Sequence, residues 1–345
     1  MKKILCLILC ILLVCVTTLG CEKQPDLKEP SLYEYSETVP ELSDDFEQSE
    51  TSAEISEEIS YSEISIEISE ETSEEISITE EELNTLSSKT VFVYDPINAK
   101  FIYEKNTETN IIPASITKLL TALYALEVAP IDLEITPRDE LYLLNPYSSV
   151  AGINGQQTFS LEQLIAAMLV PSGNDAAYTV AAGVARYTEN NDSLSGREAL
   201  DIFMSNLNEY ARTIGCTGTV FTVPDGLAGN EHYTTAHDLA IIGEYAINNP
   251  IISKYTSMDV CTLTTVSGHY FSWKNTNQLL HANSKYHTAG VTGLKTGTLD
   301  LYSLMVSVNI NESTYIIGIF DAPTHDARYV DATTVISILS QKQTN

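Results

Sequence analysis

The sequence predicts an α+β fold over residues 89–345, an antiparallel sheet flanked by helices. Strand-like runs of β-branched and aromatic residues stand at both ends of this region, and helix-like patterns fill its middle. The first strand pair reads as a hairpin that closes the C-terminal sheet. No internal repeat suggests a solenoid or an array.

Taken in order, "TVFVYDPINAKFIYEKN" from Thr90 is an apolar run, a Pro/Asn turn and a second alternating run. Helical patterns follow at Ser115–Glu127, Leu161–Leu169, Asp175–Ala185, Arg197–Ile214 and Thr235–Ile247. Strand patterns then cover Val260–Val266, Tyr270–Trp273, Val291–Thr296, Tyr302–Val308 and Thr314–Phe320, and a last helix runs from His325 to about Gln341.

The residues before 89 have a different character. Lys2 and Lys3 precede an apolar run from Ile4 to Val16, too short for a comfortable membrane span and ordered as in an export signal, which assigns residues 1–20 to a signal peptide. The run ends in Thr17-Thr-Leu-Gly-Cys21, which resembles a bacterial lipobox and implies lipidation at Cys21. Thr18 stands where such boxes usually carry Leu, so plain cleavage or an uncleaved anchor are the alternatives.

Residues 21–88 hold 22 Asp/Glu against 2 Lys, a net charge of −20 out of −29 for the chain. Their Glu, Ile and Ser follow no steady period. A self-repelling segment of this kind cannot bury enough apolar surface to offset its ordering entropy, and it reads as a disordered tether. As a flexible coil it spans about 45 Å. An amphipathic helix for a partner is the lesser alternative. The acidity excludes nucleic acid as a partner of the usual kind.

Of six cysteines only Cys216 and Cys261 lie in the folded region. They allow one disulfide or two small buried side chains. The six histidines include no H-E-x-x-H; His232/His237 and His281/His287 lack a ligand spacing and read as surface or loop histidines, so no metal or cofactor is expected. A Gly-x-Ser-x-Gly elbow is also missing.

Three short motifs carry chemistry. In "PASITKLL", Ser115 and Lys118 are three apart at a helix start, so they share a face. Backbone N–H groups there favour negative charge, and a lysine of lowered pKa could act as base. Read alone, Ser115 is equally an N-cap and Lys118 an ordinary helix residue. In "MLVPSGNDAAYTVA", Ser172, Gly173 and Asn174 form a polar turn between two helices. Ser can shuttle a proton and Asn can grip a peptide group, or the turn is only a connection capped by Asn174 or Asp175. In "GVTGLKTGTLDLYSLMVSV", Lys295, Thr296, Gly297 and Thr298 end a β-branched strand beside which an extended peptide could add.

Order and context together are specific. Ser-x-x-Lys at a helix start, Ser-x-Asn in an inter-helix loop and Lys-Thr-Gly at a strand end form the set of penicillin-binding proteins and class A β-lactamases. The chain resembles the serine-type D-alanyl-D-alanine carboxypeptidases, low-molecular-mass penicillin-binding proteins, over roughly residues 89–340. Beyond the three motifs, "VFVYDPINAKFIYEKN" is similar to the family's opening hairpin and "FTVPDGLAGNEHYTTAHDLAIIGEYAI" to its Pro-x-Gly-Leu loop and following helix.

The resemblance implies a β-lactamase/DD-peptidase-like fold with a helical subdomain, over 89–345. It implies Ser115 as nucleophile on the bond between two D-alanines of a peptidoglycan stem peptide. Lys118 is then the base, its pKa held down by Lys295. Ser172 relays a proton, and Asn174 binds the substrate backbone. Lys295, Thr296 and Thr298 bind the terminal carboxylate, and the N–H groups of Ser115 and Thr298 form the oxyanion hole. β-Lactams are implied as acylating inhibitors, and the outer face of the cytoplasmic membrane or the cell wall as the location.

The departures are Val223, where Asn often precedes the loop Pro, and an end near Asn345 without the small β domain and C-terminal anchor of some members. A D,D-endopeptidase uses the same motifs. A class A β-lactamase usually has Ser-Asp-Asn and a deacylating Glu, for which Glu198 and Glu209 lie in a predicted helix. A wall-binding lipoprotein without activity is the reading of a different class, and the intact motif set speaks against it.

Overall fold

The computed structural model describes residues 77–343. The signal segment, Cys21 and most of the acidic tether lie outside the described residues.

The opening hairpin pairs β1 (Thr90–Asp95) with β2 (Lys100–Lys105). A single 3-10 turn, Ala114–Ile116, leads into α1 (Thr117–Val128). The two-residue strands β3 (Glu134–Ile135) and β4 (Phe159–Ser160) pair ahead of α2 (Leu161–Leu169) and α3 (Asn174–Thr188). Then come α4 (Gly196–Thr213), α5 (Ala236–Asn248) and α6 (Pro250–Thr256). The chain continues as β5 (Val260–Thr264), β6 (Tyr270–Lys274), β7 (Val291–Thr298), β8 (Tyr302–Ile310) and β9 (Ser313–Ala322), and α7 (His325–Lys342) closes it.

Helix boundaries follow local chemistry. Ser160 with Gln163 and Ser195 with Glu198 form complete capping boxes at α2 and α4. Asn249 caps α6 and Pro250 occupies its first turn, a short helix that the sequence reading passed over. Helix α1 is buried on nearly every side because it runs through the middle of the molecule.

The main sheet has the order β2-β1-β9-β8-β7, and all its pairs are antiparallel. The expected α+β class and the closure by the opening hairpin both hold. Period-two alternation divides the sheet residues between two cores. Phe92, Leu294, Met305, Ile316 and Phe320 belong to the core on the side where α5 and α6 pack on the sheet. Val91, Val93, Leu304, Val306, Ile317 and Ile319 face α7, with Tyr329, Val335 and Leu339.

Two expectations differ from the structure. Strands β5 and β6 form a separate two-stranded sheet. They are tied to the helical lobe instead, since Gln163 donates to the Thr264 carbonyl and the Trp273 indole N–H to the Ala151 carbonyl. The packed chain also begins before Lys89. Ile78, Leu83 and Leu86 are buried under the sheet with α7, and Ser87 and Ser88 donate to the Asp331 carboxylate. Three isolated apolar residues at the end of an acidic run carry no periodic signal, so a boundary at 88 missed them. Cys216 and Cys261 are both free thiols and buried.

Candidate active site

Strand β7 is the edge of the main sheet, and its Lys-Thr-Gly end lies against the turn that carries Ser115. A Cβ at Gly297 would stand 2.7 Å from the Pro113 carbonyl oxygen, so only glycine permits this approach. Ser115 sits in the 3-10 turn just ahead of α1, half-buried, between a left-handed Ala114 (φ +50) and the helix proper. The loop Pro224–Leu227 pins this turn from the far side. Thr121 donates to the Pro224 carbonyl, and Gly226 leaves no room for a side chain against Ala114. Asn208, bonded to both the N–H and the carbonyl of Phe221, holds the segment leading into that loop; Val223 itself has no polar side chain to contribute.

Lys118 is completely buried, and its Nζ has three partners: Ser115 Oγ at 2.8 Å, Asn174 Oδ1 at 2.8 Å and the Asp225 carbonyl at 2.9 Å. Lys295 is equally buried, and its Nζ reaches Ser172 Oγ at 2.8 Å and the Thr296 carbonyl at 3.1 Å. Ser172 has a left-handed backbone (φ +64), which turns its hydroxyl toward that lysine. Asn174 opens α3, while Asp175 accepts from the N–H groups of Ala151, Gly152 and Ile153 and fastens the loop beside Ser149. Thr296 Oγ1 lies 2.7 Å from Thr276 Oγ1.

Two details bear on the roles implied by resemblance. Burial lowers the pKa of Lys118 to about 8, while Asp225 and then Asp175 push in the opposite direction. The repulsion between the two amines shows on Lys295, held well below its ordinary value by burial first, then by Lys118 and Arg328. Lys295 also spends its bonds on Ser172 and a carbonyl, rather than on the open cleft.

The cationic group that faces the Thr298 end of the cleft is Arg328 of α7. It is buried, donates to the Gly297 carbonyl at 3.0 Å and Thr298 Oγ1 at 3.1 Å, and among the described residues its Nε has no hydrogen-bond partner. Sequence reasoning missed it because it lies 30 residues from Thr298; a lone Arg on the mostly apolar inner face of the last helix was the available signal.

A cavity of about 750 Å³ joins these groups, lined by Ser115, Ser172, Thr296, Thr298 and Arg328 among others. The histidines divide differently from expectation. His237 and His287 are exposed. His232 is buried, with Thr222 N–H donating to Nδ1 and Thr117 Oγ1 at 2.8 Å from Nε2. Nδ1 is therefore an acceptor, Nε2–H donates, and the ring is neutral. His281 is also buried and pairs with Asp259. Among the described residues no His/Cys/Asp/Glu group is placed to hold a metal ion.

A serine held by a buried lysine, at the seam between an antiparallel sheet and a helical lobe, defines the class of active-site serine peptidases with a lysine partner. The chain belongs to the peptidase S11 family, D-alanyl-D-alanine carboxypeptidase, whose profile matches residues 76–324. It is 26% identical to D-alanyl-D-alanine carboxypeptidase DacF of Bacillus subtilis over 264 residues, 75% of this chain and 64% of the relative. It is 27% identical to a D-alanyl-D-alanine endopeptidase of Pseudomonas aeruginosa, over 72% of this chain and 76% of that one. The chain thus spans less than two thirds of the length of the DacF relative. Among solved structures, penicillin-binding protein D2 of Listeria monocytogenes in an ampicillin-bound form superposes with TM-score 0.60 at 26% identity, covering 74% of this chain and 98% of that one. A variant of the Streptomyces K15 DD-transpeptidase superposes with TM-score 0.64 at 25% identity, covering 73% and 97%.

Proposed function

We propose that the protein is a serine D-alanyl-D-alanine carboxypeptidase that removes the terminal D-alanine from peptidoglycan stem peptides through an acyl-enzyme on Ser115. The observation that carries this reading is the partner set of Lys118. Asn174 Oδ1 and the Asp225 carbonyl can only accept, whereas the Ser115 hydroxyl can also donate. A neutral amine satisfies all three by donating twice and accepting once. Its lone pair then points at the proton that Ser115 must lose, and the depressed pKa makes that neutral form accessible near physiological pH.

The steps follow from position. Ser115 Oγ attacks the carbonyl and Lys118 takes its proton. The N–H groups of Ser115 and Thr298 receive the oxyanion, worth about 3 kcal/mol per donor. Ser172, hydrogen-bonded to Lys295, relays the proton that Lys118 took from Ser115 to the departing amine. Asn174 holds the substrate backbone on the acyl side. Thr296, Thr298 and Arg328 hold the terminal carboxylate, with Gly297 leaving room for the strand to approach. Water then releases the shortened peptide, and a β-lactam that acylates Ser115 mimics the first half of the cycle.

The test is intact mass after mixing the protein with a β-lactam, beside Ser115→Ala, followed by release of D-alanine from a D-Ala-D-Ala peptide. A stable adduct and D-alanine release that both vanish in the variant support the reading. Rapid drug turnover without an adduct would point to a β-lactamase.

The N-terminal sequence supports export and anchoring: a signal peptide over 1–20, lipidation at Cys21 and an acidic tether ending near Ile78. That arrangement places the catalytic domain outside the cytoplasmic membrane. Incorporation of labelled fatty acid that is lost in Cys21→Ala tests it; equal labelling of both would discard lipidation at Cys21.

A further inference from the structure

The ionisable lining of the cleft is one-sided. Among the described residues, Lys274, His281, Lys285, His325 and Arg328 border it, and no Asp or Glu does. Three of these five have a carboxylate partner outside the lining. His281 pairs with Asp259, Lys285 donates to Asp326 at 2.8 Å, and His325 Nδ1 lies 3.3 Å from the same Asp326. Among the described residues, no carboxylate pairs with either Lys274 or Arg328.

Two uncompensated cations in one cleft concentrate field there, and they favour a ligand with two anionic groups. Arg328, buried beside Thr298, is placed for one of them. Lys274 is exposed at the end of β6, two residues before Thr276. The neighbouring Trp273 is bonded to the Ala151 carbonyl, and Thr276 N–H donates to the Val170 carbonyl, so this rim is held beside the Ser172–Asn174 turn. That turn is where the acyl portion of the substrate lies under the reading above. A lysine head is a point charge on a flexible stem, suited to meeting a charged side chain without fixed geometry.

We propose that Lys274 is a specificity-determining residue that pairs with an acidic group on the acyl side of the substrate. The substrate class is then a D-alanyl-D-alanine peptide whose preceding residue carries a free carboxylate, rather than an amine. This inference rests on the carboxypeptidase reading for the identity of the peptide, but not for the position of the anion relative to Ser115.

The experiment compares three D-Ala-D-Ala peptides whose preceding side chain ends in a carboxylate, an amine or a methyl group. Values of kcat/KM are measured for the full-length protein, Lys274→Gln and Lys274→Glu at low and high salt. In parallel, acylation rates are measured with two penicillins whose acyl side chains carry a carboxylate or an ammonium. The carboxylate peptide is expected to lead the amine peptide by about fivefold at low salt, as for an exposed ion pair. The lead shrinks at high salt, disappears in Lys274→Gln and reverses in Lys274→Glu.

Peptide turnover without that order, or with an order unchanged by both variants, would overturn the assignment and leave the carboxypeptidase reading standing. If no peptide turns over, the penicillins decide: faster acylation by the carboxylate form, reversed in Lys274→Glu, keeps Lys274 in its role and removes the peptidase reading. No acylation by either penicillin would overturn both.

Discussion

Lys118 and Asp225 meet twice in the interior: the Lys118 amine donates to the Asp225 backbone carbonyl at 2.9 Å, and the Asp225 carboxyl lies near enough to favour the ammonium form. Asp225 is itself almost fully buried, and burial raises its own pKa against the opposing pull of Lys118. The protonation of Lys118 is therefore set by a contest in which burial disfavours its charge and a buried acid favours it.

A pH profile reads that contest. Below about 8 Lys118 is protonated and lacks a lone pair, so acylation of Ser115 by a β-lactam should rise with pH and level off above that value. Asp225→Asn removes an anion that stabilises the ammonium. The rising limb should move to lower pH, making the variant faster than the parent near neutrality. Stopped-flow acylation rates across the range check it, and a limb that moves upward would refute the account.

Gly226 tests the turn that carries Ser115. A Cβ there would lie 1.9 Å from the Ala114 carbonyl oxygen, and the backbone is left-handed (φ +79). Gly226→Ala should force Ala114 and Ser115 to shift, at a cost of about 1–3 kcal/mol. Denaturant unfolding and the acylation rate should both show the loss; an unchanged acylation rate would mean that the turn tolerates displacement.

His232 couples stability to acid. Burial depresses its pKa to about 3, against about 6.5 in an unfolded chain. Between those values the unfolded chain binds a proton that the folded one does not, so stability falls as pH drops through this window and is unaffected by His232 above it. The slope is at most about 1.4 kcal/mol per pH unit. His232→Gln should flatten the decline of unfolding free energy between pH 6.5 and 4, relative to the parent.

Asp331 holds the segment ahead of β1. Its carboxylate accepts from the N–H and hydroxyl of both Ser87 and Ser88, and Lys105 donates to the Leu86 and Ser88 carbonyls beside it. Asp331→Ala leaves buried donors unmet and should cost about 1–3 kcal/mol. Limited proteolysis should then cut near residues 78–88 in the variant before it cuts the parent. A chain begun at Lys89 should likewise be less stable than one begun at residue 77, because Leu83 and Leu86 no longer cover the sheet.

Much of the site was readable one motif at a time because each motif is local. Ser115 and Lys118 share a face by helical periodicity alone, and Ser172 and Asn174 belong to one turn. Arg328 was not readable in this way, since its contact with Thr298 spans 30 residues and depends on how α7 lies across the sheet.

The sequence by itself determined the periodicities: two outer strand sets, a helical middle, the capped helix starts and the order of three motifs. These rest on interactions within a few residues, which any window of the chain contains. Only the tertiary structure decided which lysine meets which serine, that Lys295 turns to Ser172, that burial sets the pKa of Lys118, and that Ile78 to Ser88 belong to the fold. Those outcomes come from desolvation and from contacts between distant segments, and they exist only once the sheet and the helical lobe close on each other.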